Sequence, residues 1–191
     1  KLSGTYASSV TAAEELKGTF NVVPVDTLCG TMGTAFMCRS ARQMERAGKS
    51  VEEIVKFIEG IRSQTHVVLT LDTLEYARRS GRVGALRSAL ASALNLKPIA
   101  LLKDGLVEMV DRVRTRKAAI ERVLTIARES VGDNPVHVGV VHARDLATGQ
   151  SLLNEAKKVL NVKESFLTDL SISLVINFGP GTVGIVLYPA E

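Results

Sequence analysis

The sequence predicts an α/β fold whose two halves are built differently, and three observations lead there. Between residues 5 and 71, helix-like and strand-like segments alternate, the pattern of a parallel sheet covered by helices. Beyond Gly81 the segments pair as hairpins, most clearly where Asp104-Gly105 separates two apolar runs. That second half reads as an antiparallel or mixed sheet with helices on one face. Between the halves runs a strand, a helix and Gly81-Arg82-Val83-Gly84, an arginine bracketed by glycines. A soft boundary is placed there, with residues 1–83 in the first lobe and 84–191 in the second.

Each element has its own signal. Ser3 is a favoured N-cap for a helix over 5–17, where Tyr6, Val10, Ala13 and Leu16 or Lys17 share a face, and Gly18 ends it. Residues 20–25 read as a short apolar strand, and 26–33 as a loop rich in Thr and Gly. A helix over 34–47 closes at Gly48. Ser50 and Glu53 have capping-box spacing, opening a helix with Val51, Ile54, Val55, Ile58 and Ile61 inward. Residues 66–71 form a near-continuous apolar strand, the kind buried on both sides. Asp72 with Glu75 repeats the capping-box spacing, so a helix is expected hard against that strand, stopped by Gly81. An alanine-rich helix over 85–94 is suited to close packing or to walling a cavity. The hairpin 97–102/106–111 follows, then a helix capped by Thr115, a strand at 137–141 and a helix near 147–160. Strands near 163–168, 172–177 and 183–188 complete the chain.

Composition narrows the function. Across 191 residues, 46% are hydrophobic and 23% charged, which is ordinary for a globular protein able to bury a full core. No apolar run approaches the roughly 18 residues of a membrane helix. The net charge of +4 is too small an excess to imply nucleic acid, and only 4% aromatic content argues against a base-stacking surface. Two cysteines are too few for a disulfide framework, so a reducing cytoplasm is the plain reading. The opening Lys1-Leu2-Ser3-Gly4 begins as if inside a motif, and the chain is read as lacking an amino-terminal part.

Few motifs carry chemistry alone. Gly179-Pro180-Gly181-Thr182-Val183-Gly184 matches G-x-G-x-x-G by letter, but a strand follows it rather than a helix, so the dinucleotide reading fails. A tight bend between two strands remains. His137 and His142 stand at odd separation on one strand and point to opposite faces, which excludes a shared metal. Ser3-Gly4-Thr5 at a helix start offers hydroxyls and free N–H groups to a carboxylate or phosphate; an ordinary cap is the simpler local reading. That start also supports a second hypothesis, an enzyme or regulator acting on a small anionic ligand. Arg82 and Arg114 face the same choice between an anion and solvated surface.

Taken together, several segments resemble the DegV family of fatty-acid-binding proteins, in the family's order. They are Lys1-Leu2-Ser3-Gly4-Thr5-Tyr6, Val25-Asp26-Thr27 with Gly30 and Gly33, Gly48-Lys49-Ser50-Val51-Glu52-Glu53-Ile54, and the run 71–84. Leu96-Lys97-Pro98-Ile99, Asp104-Gly105, Val113-Arg114-Thr115 and Gly179-Pro180-Gly181-Thr182 continue the series. The resemblance implies a two-lobed α/β fold that encloses a long-chain fatty acid and presents it, in the bacterial cytoplasm, to a fatty acid kinase that makes the acyl phosphate. It implies a carrier with no catalytic residue, metal or cofactor beyond the bound acid, no nucleic acid and no stable membrane insertion. It places Ser3, Gly4, Thr5, Asn177 and Gly179 at the fatty acid, and Arg82 and Arg114 near its head group or facing the kinase. The family's threonine ligand upstream has no counterpart in this chain. Its usual His-Thr is Asn177-Phe178 here, and an asparagine donates a hydrogen bond but carries no charge.

Overall fold

Valine and isoleucine crowd three segments, and these become the centre of one sheet. The computed structural model describes residues 3–81 and 96–190. Within them the chain forms α1 (Thr5–Glu15), α2 (Thr31–Arg46), α3 (Val51–Ile61), β1 (His66–Thr70) and α4 (Glu75–Ser80). Then come β2 (Lys97–Lys103), β3 (Leu106–Val113), α5 (Arg116–Val131), β4 (Val136–His142), α6 (Leu146–Val159), β5 (Val162–Asp169), α7 (Ile172–Phe178) and β6 (Val183–Pro189). The strands form a six-stranded mixed sheet in the order β3-β2-β1-β6-β4-β5. Only β4 and β5 run parallel; every other pairing is antiparallel.

Alternation along the strands builds two cores. Val67 and Leu69 of β1, Val141 of β4, and Val186 and Tyr188 of β6 meet Phe36 and Met37 of α2 on one face. Val68, Val138, Val140, Ile185 and Leu187 face the other way, onto Ala119, Val123 and Ala127 of α5 and Leu152 and Ala156 of α6. Local chemistry agrees with several expected boundaries. Ser50 and Glu53 close the reciprocal capping box, Thr115 Oγ1 accepts from the Ala118 N–H, and Asp104 and Gly105 both take positive φ in the hairpin turn.

Other expectations change. The α/β class and the mixed sheet are as expected, but the parallel first-half sheet is not formed among the described residues. Its strand β1 pairs antiparallel with β2 and β6 instead. Residues 20–25 pair with nothing described, and Phe20 is 63% exposed. Pairing partners are chosen by tertiary structure, which an apolar run cannot announce. The shared face of α1 is uncovered too, with no residue of that helix buried. Ser3 does not stand at the cap position, which Gly4 occupies, although the Thr5 N–H donates to Ser3 Oγ at 3.2 Å. Asp72 does not cap α4 either: the position falls to Leu74, and Asp72 turns to Lys97 at 3.0 Å. The strand expected at 172–177 is helix α7. Ile172 and Ile176 lie outward, four residues apart, while Phe178 is buried, a helical spacing in a run short enough to read either way. The lobe boundary at 83/84 and the helix over 85–94 fall outside the described residues.

Helix α2 comes very close to the sheet at Gly139, where a Cβ would stand 2.6 Å from Met32 Cβ and 3.3 Å from the Phe36 ring. Gly139→Ala should therefore push α2 off the sheet and cost about 1–3 kcal/mol, read as a lower urea midpoint with an unchanged m-value.

Candidate functional site

The ends of β1 and β4 and the start of β6 come to one side of the sheet, since Thr70 and His142 both stand opposite Val183. The segments that leave and enter there pack together, α4 against α7. Gly179-Pro180-Gly181 turns the chain from α7 into β6, so the bend follows a helix rather than a strand. Both glycines have positive φ, and neither has room for a side chain. A Cβ at Gly179 would lie 2.3 Å from the Tyr76 ring, and one at Gly181 2.5 Å from Asp72 Oδ2. The buried Thr182 hydroxyl donates to the carbonyls of Phe178 (3.0 Å) and Gly179 (2.9 Å), locking the bend.

Under this lid, on the α2 face of the sheet, lies a cavity of about 180 Å³. Its floor crosses the sheet through Val141, Gly184, Leu69, Val67, Leu102 and Val107. Five neighbouring strands contribute, so the floor spans roughly 20 Å at the usual strand spacing. Leu170, Leu174 and Phe178 wall one side, and the loop Leu28–Cys29–Gly30–Thr31 walls another. Polar groups are few: the hydroxyls of Ser3, Thr31 and Thr182, and the Cys29 thiol, whose pKa burial pushes up and which therefore stays neutral.

Ser3 is exposed yet lines the cavity, which sets it at the open mouth. Its Oγ accepts the Thr5 N–H and lies 2.8 Å from Thr5 Oγ1. With the Thr5 hydroxyl donating to it, Ser3 keeps its own proton for an incoming acceptor. Gly30, at the N-cap of α2, gives that helix no side-chain cap.

Of the described residues expected at the site, the structure brings Ser3 to the cavity and leaves Gly4, Thr5, Asn177, Gly179 and Arg114 off its wall. Gly4 and Thr5 are exposed at the start of α1. Asn177 is engaged locally, its Nδ2 donating to the Ser173 carbonyl at 2.7 Å. Gly179 lies beneath Tyr76. Arg114 is exposed after β3 and forms no ion pair with described residues; Arg82 lies outside them. The wall residues that motif reading passed over include Leu28, Thr31, Leu174 and Thr182. Thr182 closes the Gly179-Pro180-Gly181-Thr182 motif, so its signal lies in the sequence, attached to the glycines rather than to the hydroxyl.

Charge gathers beside the cavity rather than in it. Asp72 bridges Lys97 (3.0 Å) and Arg116 (3.7 Å), and Arg116 reaches Asp145 at 2.8 Å. Burial works to raise the Asp145 carboxyl, but hydrogen bonds from Thr148 and Arg116 and the Arg116 charge hold it below the usual range. His137 stacks near Phe36 and Tyr188 with Nδ1 3.3 Å from Glu164, and buried His142 has Nδ1 3.4 Å from Asp169. No cluster that suits a metal ion occurs among the described residues.

Comparison with known proteins places this arrangement among relatives. A family model described as "Uncharacterised protein, DegV family" matches residues 1–190. A DegV domain-containing protein of Streptomyces coelicolor is 32% identical over 188 residues, which is 98% of this chain and 66% of that protein. A solved DegV family protein from Thermus thermophilus, described as fatty-acid binding, superposes with a TM-score of 0.87. Its identity is 30%, over 99% of this chain and 68% of that one. A Thermotoga maritima protein whose structure is described as revealing fatty acid binding function gives a TM-score of 0.88 and 26% identity, over 99% and 66%. The chain spans about two thirds of the length of these relatives.

The lowered Asp145 pKa has a testable consequence. Its stabilisation is complete above the unfolded value of about 3.9 and is lost as pH falls through the lower folded value. Asp145→Asn keeps a competent N-cap for α6 while removing the charge, so it isolates the pairing with Arg116. The variant should melt below wild type at neutral pH, and the gap should shrink once pH falls below the unfolded value and close as it falls through the lower folded value, where the wild-type carboxyl is protonated. A gap that stays constant in melting curves across that range would show that the charge contributes nothing.

Proposed function

The chain belongs to the DegV family, and from that premise we propose that it binds one long-chain fatty acid in the apolar cavity and presents the carboxylate to a fatty acid kinase. The observation that carries this reading is the cavity itself: a long apolar floor with a few hydroxyls, one of them Ser3 at the mouth. An alkyl chain gains about 0.8 kcal/mol per buried CH₂, so such a floor supplies affinity while the hydroxyls orient the head. The cavity draws Ser3, Leu28 and Val67 from residues 1–83 and Leu102, Val141 and Leu174 from residues 84–191, so both stretches of the chain contribute to it. The fatty-acid-binding descriptions of the Thermus and Thermotoga relatives support the same ligand class.

The protein in this reading is a carrier, and phosphoryl transfer belongs to the kinase. Ser3 donates to the carboxylate, with Gly4 and Thr5 holding Ser3 in place rather than touching the acid. Asn177 and Gly179 act through the bend that closes the lid end. Arg114, exposed and without an ion-pair partner among the described residues, serves the kinase-facing surface, and we extend that role to Arg82. A steering arginine on the surface carries no desolvation penalty, whereas a buried unpaired one would cost several kcal/mol. The cytoplasm is the compartment we propose: Cys29 and Cys38 are both free thiols, and no described helix is long and apolar enough to cross a membrane.

Protein purified from a lipid-replete host should carry a long-chain fatty acid in one-to-one stoichiometry by native mass spectrometry, and uniformly apo protein would refute the reading. Ser3→Ala should stay folded yet bind a fluorescent fatty acid more weakly by about 1.5–3 kcal/mol, the worth of a hydrogen bond to a charged acceptor. Unchanged affinity would leave Ser3 as no more than a partner for Thr5.

A further inference from the structure

Beyond the apolar cavity lies a second one of about 370 Å³, and the two share Leu28, Cys29, Val67 and Leu102 as a common wall. Past that wall the lining turns polar, with Arg62, Thr65, His66 and Lys103. Val67 and Leu102 face each other across β1 and β2, and the sheet fixes both. Leu28 is different, because it stands on a loop.

Its backbone takes φ 50°, a left-handed conformation that leucine rarely adopts. Such strain persists only where the surroundings over-determine it, and it concentrates at ligand clamps. Here the surroundings do so. The Leu28 N–H donates to Asp26 Oδ1 at 3.0 Å, and Arg62 donates to the Asp26 carbonyl at 2.9 Å. The next N–H, of Cys29, donates to Thr27 Oγ1 at 3.3 Å. On its far side the leucine meets the β2–β3 turn: a Cβ at Gly105 would lie 3.3 Å from Leu28 Cδ2. The backbone is thus pinned by hydrogen bonds and the side chain braced by the turn, at the junction of an apolar cavity with a polar one.

We infer that Leu28 is the chain-length stop of the cavity, the side chain against which the terminal methyl of the bound acid comes to rest. This rests on the fatty-acid reading above and adds its specificity. An acid that just reaches Leu28 fills the apolar floor. One two carbons longer must displace the leucine or fold back, and it forfeits the about 15-fold gain that two more buried methylenes would bring. Leu28→Gly removes the stop and relaxes the backbone, since glycine takes positive φ without strain. Leu28→Phe thickens the stop.

The test measures Kd for lauric, myristic, palmitic, stearic, arachidic and behenic acids, by displacement of a fluorescent fatty acid from the full chain. Wild type should tighten with length and then lose affinity at a limit. Leu28→Gly should move that limit at least one two-carbon step longer, and Leu28→Phe at least one step shorter, with matching circular dichroism. Leu102→Val, acting from the opposite side of the same wall, gives an independent variant that should also lengthen the limit. Folded variants that keep the wild-type limit overturn this inference and leave the carrier reading standing. Failure of wild type to bind any of the series overturns both.

Discussion

Antiparallel pairing of β6 with β1 on one side and β4 on the other is the interaction on which the rest of the structure depends. It brings two strand ends and one strand start to the same edge of the sheet. The loops and short helices that continue from them then have to share that edge. A lid made of α4, α7 and the glycine bend is the packing result. Because β6 is central, its alternate residues must serve both cores, and all but one of its positions are buried. Gly184 sits on the cavity side, where a Cβ would come within 3.1 Å of the Val68 carbonyl. The missing side chain lets the strands close up and keeps the floor low.

Close approach recurs wherever the cavity is shaped. Gly139 lets α2 settle against the sheet, bringing the first turn of that helix to the cavity wall. Gly181 and Gly179 let Asp72 and Tyr76 cover the bend. In each case an absent Cβ sets a distance, and the distance sets where an apolar wall stands. The resulting space is apolar because strand alternation assigns it Val67, Leu69, Val141 and Leu102. Water gains little in such a space, and an alkyl chain gains much.

Electrostatics at the same edge is arranged around the cavity. Asp72, Lys97, Arg116 and Asp145 largely satisfy one another. These pairs are partly exposed, and their net worth to stability is modest. Their effect is to keep four charges occupied with one another rather than turned into the apolar cavity. Ser3 at the cavity and Arg114, without an ion-pair partner among the described residues, lie apart from this network.

What the sequence determined by itself was local. Ser50 with Glu53, Thr115, and Asp104-Gly105 act through backbone groups within a few residues, so their caps and turn are readable without a fold. The alternation of helical and strand-like segments pointed to the α/β class, and the ordered motifs pointed to the family. Register, pairing and enclosure were decided only by the tertiary structure. Residues 20–25 are as apolar as a strand yet find no described partner, whereas β1 finds two. Ile172 to Phe178 became a helix because a lid could bury Phe178 and shelter Leu174 while Ile176 stayed outside. Leu28 and Thr182, distant in the chain, line one cavity because the sheet brings their segments together. A cavity is a property of surfaces that meet, and no single segment encodes the surface it will meet.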